Sequence, residues 1–310
     1  TLGPDFTVTC LRSDLVWEDS AILVQSGGKT LFNMNDCKLG DDLLADVRAK
    51  YSPDIVFVPF SGAIHFPTCY EYSDDERHKL CAGRRRKHLE AFVSRVELLG
   101  AKTAVPFAGN FALLHEDQMW MNEPANNNIN TPDQAIELLR EKAPHIEGLQ
   151  MNPGDTWSSN EGWRLHAPAP DFTKKMDQVR ELSAKMQPRL TELRAAEPPA
   201  RPSLRHDVIA YFERIARNHP ELMQRIDSHV VFDSSDSEHG GAWLLHFSER
   251  GFELRDFRDG DPWDMRMTIP ATILQQVIDD EICWDEVAIS FRVQFAENPE
   301  YFNQAFWVML

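Results

Sequence analysis

Carboxylates stand at two points of the sequence where a strand is predicted to end or begin. Asp36 lies two residues after the mostly apolar strand segment 31–34, and Asp14 and Glu18 lie in the polar segment 13–19 between two predicted strands. A side chain so placed gives a metal ion a fixed oxygen ligand, and oxygen-rich sites suit iron or manganese better than zinc. These three acids are the candidate metal ligands. The alternatives are a turn cap for Asp36 and solvated loop acids for the other two.

Two histidines and a tyrosine are the next candidates. His115 is followed by two acids, and it fits either a metal ligand or the start of a polar helix. His65 lies in the loop after the apolar run 54–58 and, with Tyr70, is a candidate for substrate binding. The alternatives are a hydrogen-bonded loop histidine for His65 and a packing or rim position for Tyr70.

Charge is distributed unevenly along the chain. The net charge of -17 argues against a nucleic-acid-binding surface of ordinary size, because it repels polyanions. The run 84–88, Arg-Arg-Arg-Lys-His, is the one strong basic patch. It fits either a phosphate on a nucleotide-like ligand or the solvated first turn of a helix.

The five cysteines are scattered and include no Cys-x-x-Cys pair, which argues against a zinc ribbon or a disulfide framework and favours a reducing cytoplasm. Cys37 is expected to be a small buried group rather than a nucleophile, because only Lys38 stands near it to lower the pKa of its thiol. No apolar run approaches the length of a membrane span. The start has neither a signal-peptide pattern nor an initiator methionine. We expect a soluble cytoplasmic chain cut from a longer protein.

The length of 310 residues favours two domains over one. In the first, alternation and a Gly-Gly turn predict a β-hairpin over 21–34, followed by a β-α-β-α-β succession. Thr131, Pro132 and Gln134 have the form of a capped helix start.

A helix over 172–186 is expected to be kinked at Pro188, ahead of a proline-rich linker at 197–203. The predicted domains are therefore 1–196 and 204–310. The second is expected to be a small α+β domain whose strand aromatics form ordinary core, with a last helix beginning at 298–300.

Several segments resemble the metallo-β-lactamase superfamily. They are residues 20–24, the Gly27-Gly28 turn, Asn35-Asp36-Cys37 and residues 59–63. Later segments resemble, in order and spacing, the non-Rieske part of cytidine-monophosphate-N-acetylneuraminate hydroxylases; they are Phe66-Pro67, residues 105–111, His115, Asn128 with Pro132, and Trp284-Asp285-Glu286 through Phe306-Trp307.

The resemblance implies an α/β fold of the αββα type, incomplete at its N-terminus, in which Asp36 bridges two metal ions. It also implies that Asp14 and Glu18 lie where the family places its third metal motif. The domain after the linker resembles a sterol-carrier fold.

Two departures from the family pattern affect the site. The His-x-His-x-Asp-His motif, which supplies most metal ligands in the superfamily, has no counterpart and is expected upstream of Thr1 or on a partner chain. Pro106 stands where many members carry a histidine, so His115 is the candidate replacement. No Rieske cluster motif is present, and electrons are expected from a separate donor.

These features favour one half of a metal-dependent oxygenase, a non-haem di-iron hydroxylase acting on a small molecule, with no nucleic-acid or membrane partner. Two metal ions are expected, iron first, with zinc or manganese as alternatives. A hydrolase that uses metal-bound hydroxide is the second hypothesis. A non-catalytic binding module with a decayed metal site is the third.

Overall fold

The chain divides into two compact units. The computed structural model describes residues 5–15, 18–62, 64–109, 111–158, 161–168, 170–297 and 303–309. One unit comprises residues 1–63, 78–114 and 119–182, and the other comprises 64–77, 115–118 and 183–310. This division differs from 1–196 and 204–310, because two short early segments and residues 183–196 fall in the second unit. The division into compact units does not show whether residues 197–203 form a linker, so the linker stays a prediction.

The first unit contains a six-stranded sheet in the order β1-β2-β3-β4-β5-β6. Its strands are β1 Thr7–Arg12, β2 Ser20–Ser26, β3 Lys29–Asn33, β4 Ile55–Pro59, β5 Thr103–Phe107 and β6 Glu147–Gly148. The first three are antiparallel, and β3 to β6 are parallel. Gly27 and Gly28 have φ of 57° and 72°, the left-handed backbone that a two-residue hairpin turn requires, which confirms the predicted hairpin.

Three helices accompany this sheet: α1 Asp41–Tyr51, α2 Asp74–Leu99 and α3 Pro132–Lys142. The buried core includes Phe32, Val56 and Phe92. The capping box of Thr131 and Gln134 at the start of α3 is confirmed. Because α2 begins at Asp74, the basic run 84–88 lies in the middle of a helix. The prediction of a solvated first turn there is wrong, and Arg84, Arg85 and His88 are half-buried.

A short hairpin of β7 Thr156–Ser158 and β8 Gly162–Arg164 follows α3. Helix α4, Lys175–Ala195, then runs through Pro188. The proline side chain is exposed, so water can reach the carbonyl group that its missing N–H leaves without a partner.

The second unit contains a five-stranded sheet in the order β11-β10-β9-β12-β13. Its strands are β9 Ser228–Asp233, β10 Ala242–Ser248, β11 Gly251–Asp256, β12 Met265–Thr268 and β13 Gln294–Glu297. Its helices are α5 Leu204–Asn218, α6 Pro220–Ile226, α7 Ala271–Ile278, α8 Trp284–Ser290 and α9 Gln304–Met309. The ring of Phe212 packs 5.4 Å from Phe232 and 5.7 Å from Phe247, so strand aromatics form core as predicted. The expected helix start at 298–300 lies outside the described residues.

The early segment 64–77 also takes part in this second unit. The N–H of Phe295 donates to the carbonyl of Cys69, and the N–H of Glu71 donates to the carbonyl of Phe295, each over 2.8 Å. Residues 69–71 therefore pair with β13. Across the described ranges, no helix has both the length and the apolar character needed to cross a membrane.

Candidate functional site

Asp36 lies at the edge where the parallel strands β3, β4 and β5 end. The N–H of Cys37 donates to the carbonyl of Met34 over 2.9 Å and closes a tight turn directly after β3. Asn35 takes a φ of 53° within this turn. The turn leaves the Asp36 side chain exposed while Met34 and Cys37 are buried. A carboxylate is thus held at the strand end, as the sequence predicted.

The segment after β1 is bonded to the segment after β3. Ser13 Oγ donates to the carbonyl of Lys38 over 2.6 Å. The carboxylate of Asp14 accepts the N–H of Gly40 over 2.8 Å. The N–H of Ser13 donates to the carbonyl of Asp19 over 2.8 Å, which closes the base of this loop. These bonds hold Asp14 and Asp19 beside the turn that carries Asp36.

The pKa of the Cys37 thiol reflects the negative charge of the carboxylates around this turn. Its pKa is raised to about 11 by burial and by the charges of Asp19, Asp36 and Asp14. The charges of two predicted ligands, Asp14 and Asp36, therefore act on one buried thiol together with the charge of Asp19, a third carboxylate that was not singled out. Asp19 directly precedes β2. Its position beside a predicted strand start was the sequence signal that could have identified it as a candidate.

Glu18 does not join this group. Its carboxylate pairs with Arg12 over 3.2 Å, and both side chains are largely exposed. The pair faces solvent, where ion pairs contribute little to stability.

His115 belongs to the second compact unit, whereas Asp36 belongs to the first. Burial and the charges of Arg194 and Arg292 lower the pKa of His115 against the opposite effects of Asp117 and Glu197. A 3₁₀ helix begins at Glu116, and Gln118 donates to the carbonyl of His115 over 3.1 Å. The alternative interpretation, a polar helix start, describes this position. A role as a metal ligand stays a prediction.

His65 and Tyr70 also lie in the second unit, and both are buried. The ring of His65 stacks 6.0 Å from Tyr70 and lies 5.0 Å from Phe295 and 5.5 Å from Trp307. A cavity of about 90 Å³, large enough for only a few atoms, adjoins His65. Burial and the nearby Glu297 raise the pKa of Tyr70. Substrate binding by either residue stays a prediction.

A basic group lies at the same edge of the first sheet. Burial and the charges of Arg84, Arg95 and Lys38 lower the pKa of His88. A Cβ at Gly62, just after β4, would lie 2.7 Å from His88 Nε2, so a larger residue there would displace the histidine ring. The sequence signal was the spacing of residues 84, 88 and 95 on one face of α2.

The donor types at this edge suit a hard cation, but the arrangement does not make a metal site. Within the described ranges, no group of three or more His, Cys, Asp or Glu side chains is placed to hold a metal ion. The described residues therefore do not fit the expected two-metal centre unaided.

No protein-family model matches the chain. Among curated proteins, the chain is 22% identical over 303 residues to cytidine monophosphate-N-acetylneuraminic acid hydroxylase of Danio rerio, covering 93% of this chain and 49% of that protein. It is 20% identical to the Mus musculus enzyme, with coverage of 93% and 50%.

This chain is similar to the hydroxylases over nearly its whole length. The resemblance to these hydroxylases that the motifs indicated is confirmed. The chain spans about half the length of the hydroxylases.

A shorter match is closer in sequence. The chain is 31% identical over 141 residues to a putative Rieske 2Fe-2S iron-sulfur protein of Mycobacterium tuberculosis, covering 44% of this chain and 27% of that protein.

Comparison with solved structures gives weaker similarity. The metallo hydrolase Igni18 of Ignicoccus hospitalis matches with a TM-score of 0.32 and 15% identity, covering 49% of this chain and 52% of that one. A sterol carrier protein domain of Helicoverpa armigera matches with a TM-score of 0.29 and 12% identity, covering 36% and 84%.

Proposed function

We propose that this chain is one half of a metal-dependent oxygenase related to the cytidine monophosphate-N-acetylneuraminic acid hydroxylases. The observation that carries the proposal is the convergence of Asp14, Asp19 and Asp36 around Cys37 at the end of β3. Three carboxylates held at one sheet edge supply hard oxygen donors, which favour iron over zinc.

In this proposal Asp36 and Asp14 are metal ligands, with Glu18 and His115 as further candidates. Histidine ligands come from an upstream segment or a partner chain, since the described residues do not complete a site. Iron is the proposed metal, with zinc or manganese as alternatives. A small-molecule substrate and a separate electron donor complete the reaction.

The proposal extends to the fold and the compartment. We assign the first unit to an αββα metallo-β-lactamase-like domain with part of its sheet supplied from outside these residues. We assign the domain 204–310 to a sterol-carrier-like fold. All five cysteines are free, which supports a reducing, cytoplasmic location.

The experiment is metal analysis of the chain, with and without its natural upstream sequence, after anaerobic loading with ferrous iron. We expect about two irons in the longer form and few in the shorter one, as in other two-metal sites. Asp36→Asn is expected to lose at least one of them. Asp42→Asn, an exposed aspartate on α1, is the matched control and is expected to keep both.

Activity assays then separate the reaction classes. Oxygen consumption that depends on Asp36 supports the oxygenase. Full activity with zinc and no oxygen uptake would assign a hydrolase, and absence of metal from every form would leave a binding role.

A further inference from the structure

The first unit contains a cavity of about 340 Å³ that the proposed metal chemistry does not use. Its lining includes two cations, Arg85 and Lys175, and an apolar wall of Ile129, Phe172 and Met176. A volume of this size is within the range of small-molecule sites.

The cavity is tied to the sheet edge that carries Asp36. The neighbouring Asn130 donates its main-chain N–H to Ser61 Oγ over 2.9 Å and its side-chain amide to the carbonyl of Phe60 over 3.1 Å. The same amide donates to the carbonyl of Arg85 over 3.0 Å. These bonds join the segment before α3, helix α2 and the end of β4, the strand beside β3.

Lys175 is the more unusual of the two cations. It is half-buried, and its ammonium group forms no ion pair or hydrogen bond with the described part of the chain. Burial alone lowers the pKa of its ammonium group. Lys175 is also the first residue of α4, where the helix dipole disfavours positive charge. Both conditions destabilise the ammonium ion, and an anion bound beside it would relieve both.

Arg85 carries a second charge that no carboxylate neutralises in the described ranges. Its Nη1 donates to the carbonyl of Asn127 over 2.6 Å and to that of Pro124. Both acceptors are neutral carbonyl groups. They hold the guanidinium group in place but do not neutralise its positive charge. Asp133 also lines the cavity, but its side chain is exposed and pairs with neither cation. The lining therefore keeps an excess of positive charge in a chain whose net charge is -17.

We propose that this cavity binds a small organic anion, with a phosphate or carboxylate head against Lys175 and Arg85 and an apolar body against Phe172 and Met176. The proposal does not depend on a metal, so it can fail or hold independently of the proposed oxygenase function.

The test measures binding by isothermal titration calorimetry to the metal-free chain. Phenyl phosphate and benzoate are the anionic probes, and benzyl alcohol is the neutral probe. We expect each anion to bind more tightly than the alcohol, and we expect added salt to weaken the binding of the anions. If phenyl phosphate binds more tightly than benzoate, the head group is a phosphate. If benzoate binds more tightly, it is a carboxylate. Equal binding of the alcohol, or no binding of either anion, would overturn the proposal.

Lys175→Met keeps the apolar stem and removes the charge. We expect it to weaken anion binding by about tenfold or more, while the thermal midpoint of the free protein stays unchanged or rises. The matched control is Lys185→Met, an exposed lysine on the same helix, which is expected to leave affinity unchanged. A Lys175→Met protein that folds and binds the anions as tightly as the unmodified chain would contradict the assignment.

Discussion

Asp14 and Gly40 form a close contact between two loops at the sheet edge: the Asp14 carboxylate accepts the Gly40 N–H over 2.8 Å, and a Cβ on Gly40 would lie 2.6 Å from Asp14 Oδ2. The bond fixes the segment after β1 against the segment after β3. The short distance to Asp14 also explains why position 40 is a glycine.

Two substitutions should therefore remove the same contact. We expect Asp14→Ala and Gly40→Ala each to lower the free energy of unfolding by about 1 kcal/mol, measured by urea titration. The double variant should lose little more than either single one, because both act on one bond. Gly83→Ala, in open space within α2, is the control and should stabilise by about 0.5–1 kcal/mol. Fully additive losses would show that the two residues act separately.

Thiol reactivity should distinguish the cysteines by position. Cys10 and Cys283 are exposed, while Cys37, Cys69 and Cys81 are buried. We expect Ellman's reagent to modify the two exposed thiols rapidly and the buried three only after unfolding. In Cys10→Ser/Cys283→Ser protein the fast phase should disappear. A residual fast thiol at Cys37 would be inconsistent with its burial and with a pKa of about 11.

Glu297 should make stability depend on pH. Burial raises the pKa of its carboxyl to about 7, and its Oε1 has no hydrogen-bond partner in the described ranges. The folded state holds the proton more tightly than the unfolded state. The stabilisation is therefore fully present below pH 4.5 and is lost as pH rises through 7.

Glu297→Gln should flatten this dependence, with a gain of about 1–2 kcal/mol at pH 8 after allowance for the carboxyl's partial solvation. The measurement is the unfolding free energy at pH 5 and pH 8. Glu249→Gln, at an exposed position, is the control and should follow the unmodified protein. Identical pH curves for Glu297→Gln and the unmodified chain would refute the effect.

Two ion pairs of the second unit should differ in how much they contribute to the free energy of unfolding. Arg292 and Glu197 form a two-bond pair with about a fifth to a quarter of each side chain exposed. Arg205 and Asp256 pair over 3.2 Å at the surface. We expect Glu197→Ala to cost about 3 kcal/mol, because it strands a mostly buried guanidinium, and Asp256→Ala to cost less than about 1 kcal/mol. Chemical denaturation measures both, and equal losses would contradict the burial argument.

Local signals in the sequence predicted local structure well. The Gly27-Gly28 turn and the capping box before α3 were identified because a few adjacent residues determine each. The first half of α2 was missed because residues 74–88 are highly charged and carry no apolar stripe.

The candidate site was predicted less completely than the fold. Asp14 and Asp36 were chosen singly, but their placement with Asp19 depends on bonds from the Ser13 and Asp14 side chains to the main chain of a distant loop, which no residue pattern encodes. His115 was selected by its place in a family motif, and sequence order does not specify that residues 115–118 belong to the other compact unit.

The pairing of residues 69–71 with β13 has a consequence for biosynthesis. Strand β13 needs a neighbour that leaves the ribosome long before it. The second unit therefore cannot be finished until β13 has been made, although residues 64–77 of the same unit are made much earlier. A gene divided between residues 182 and 183 would encode a later product without that neighbour.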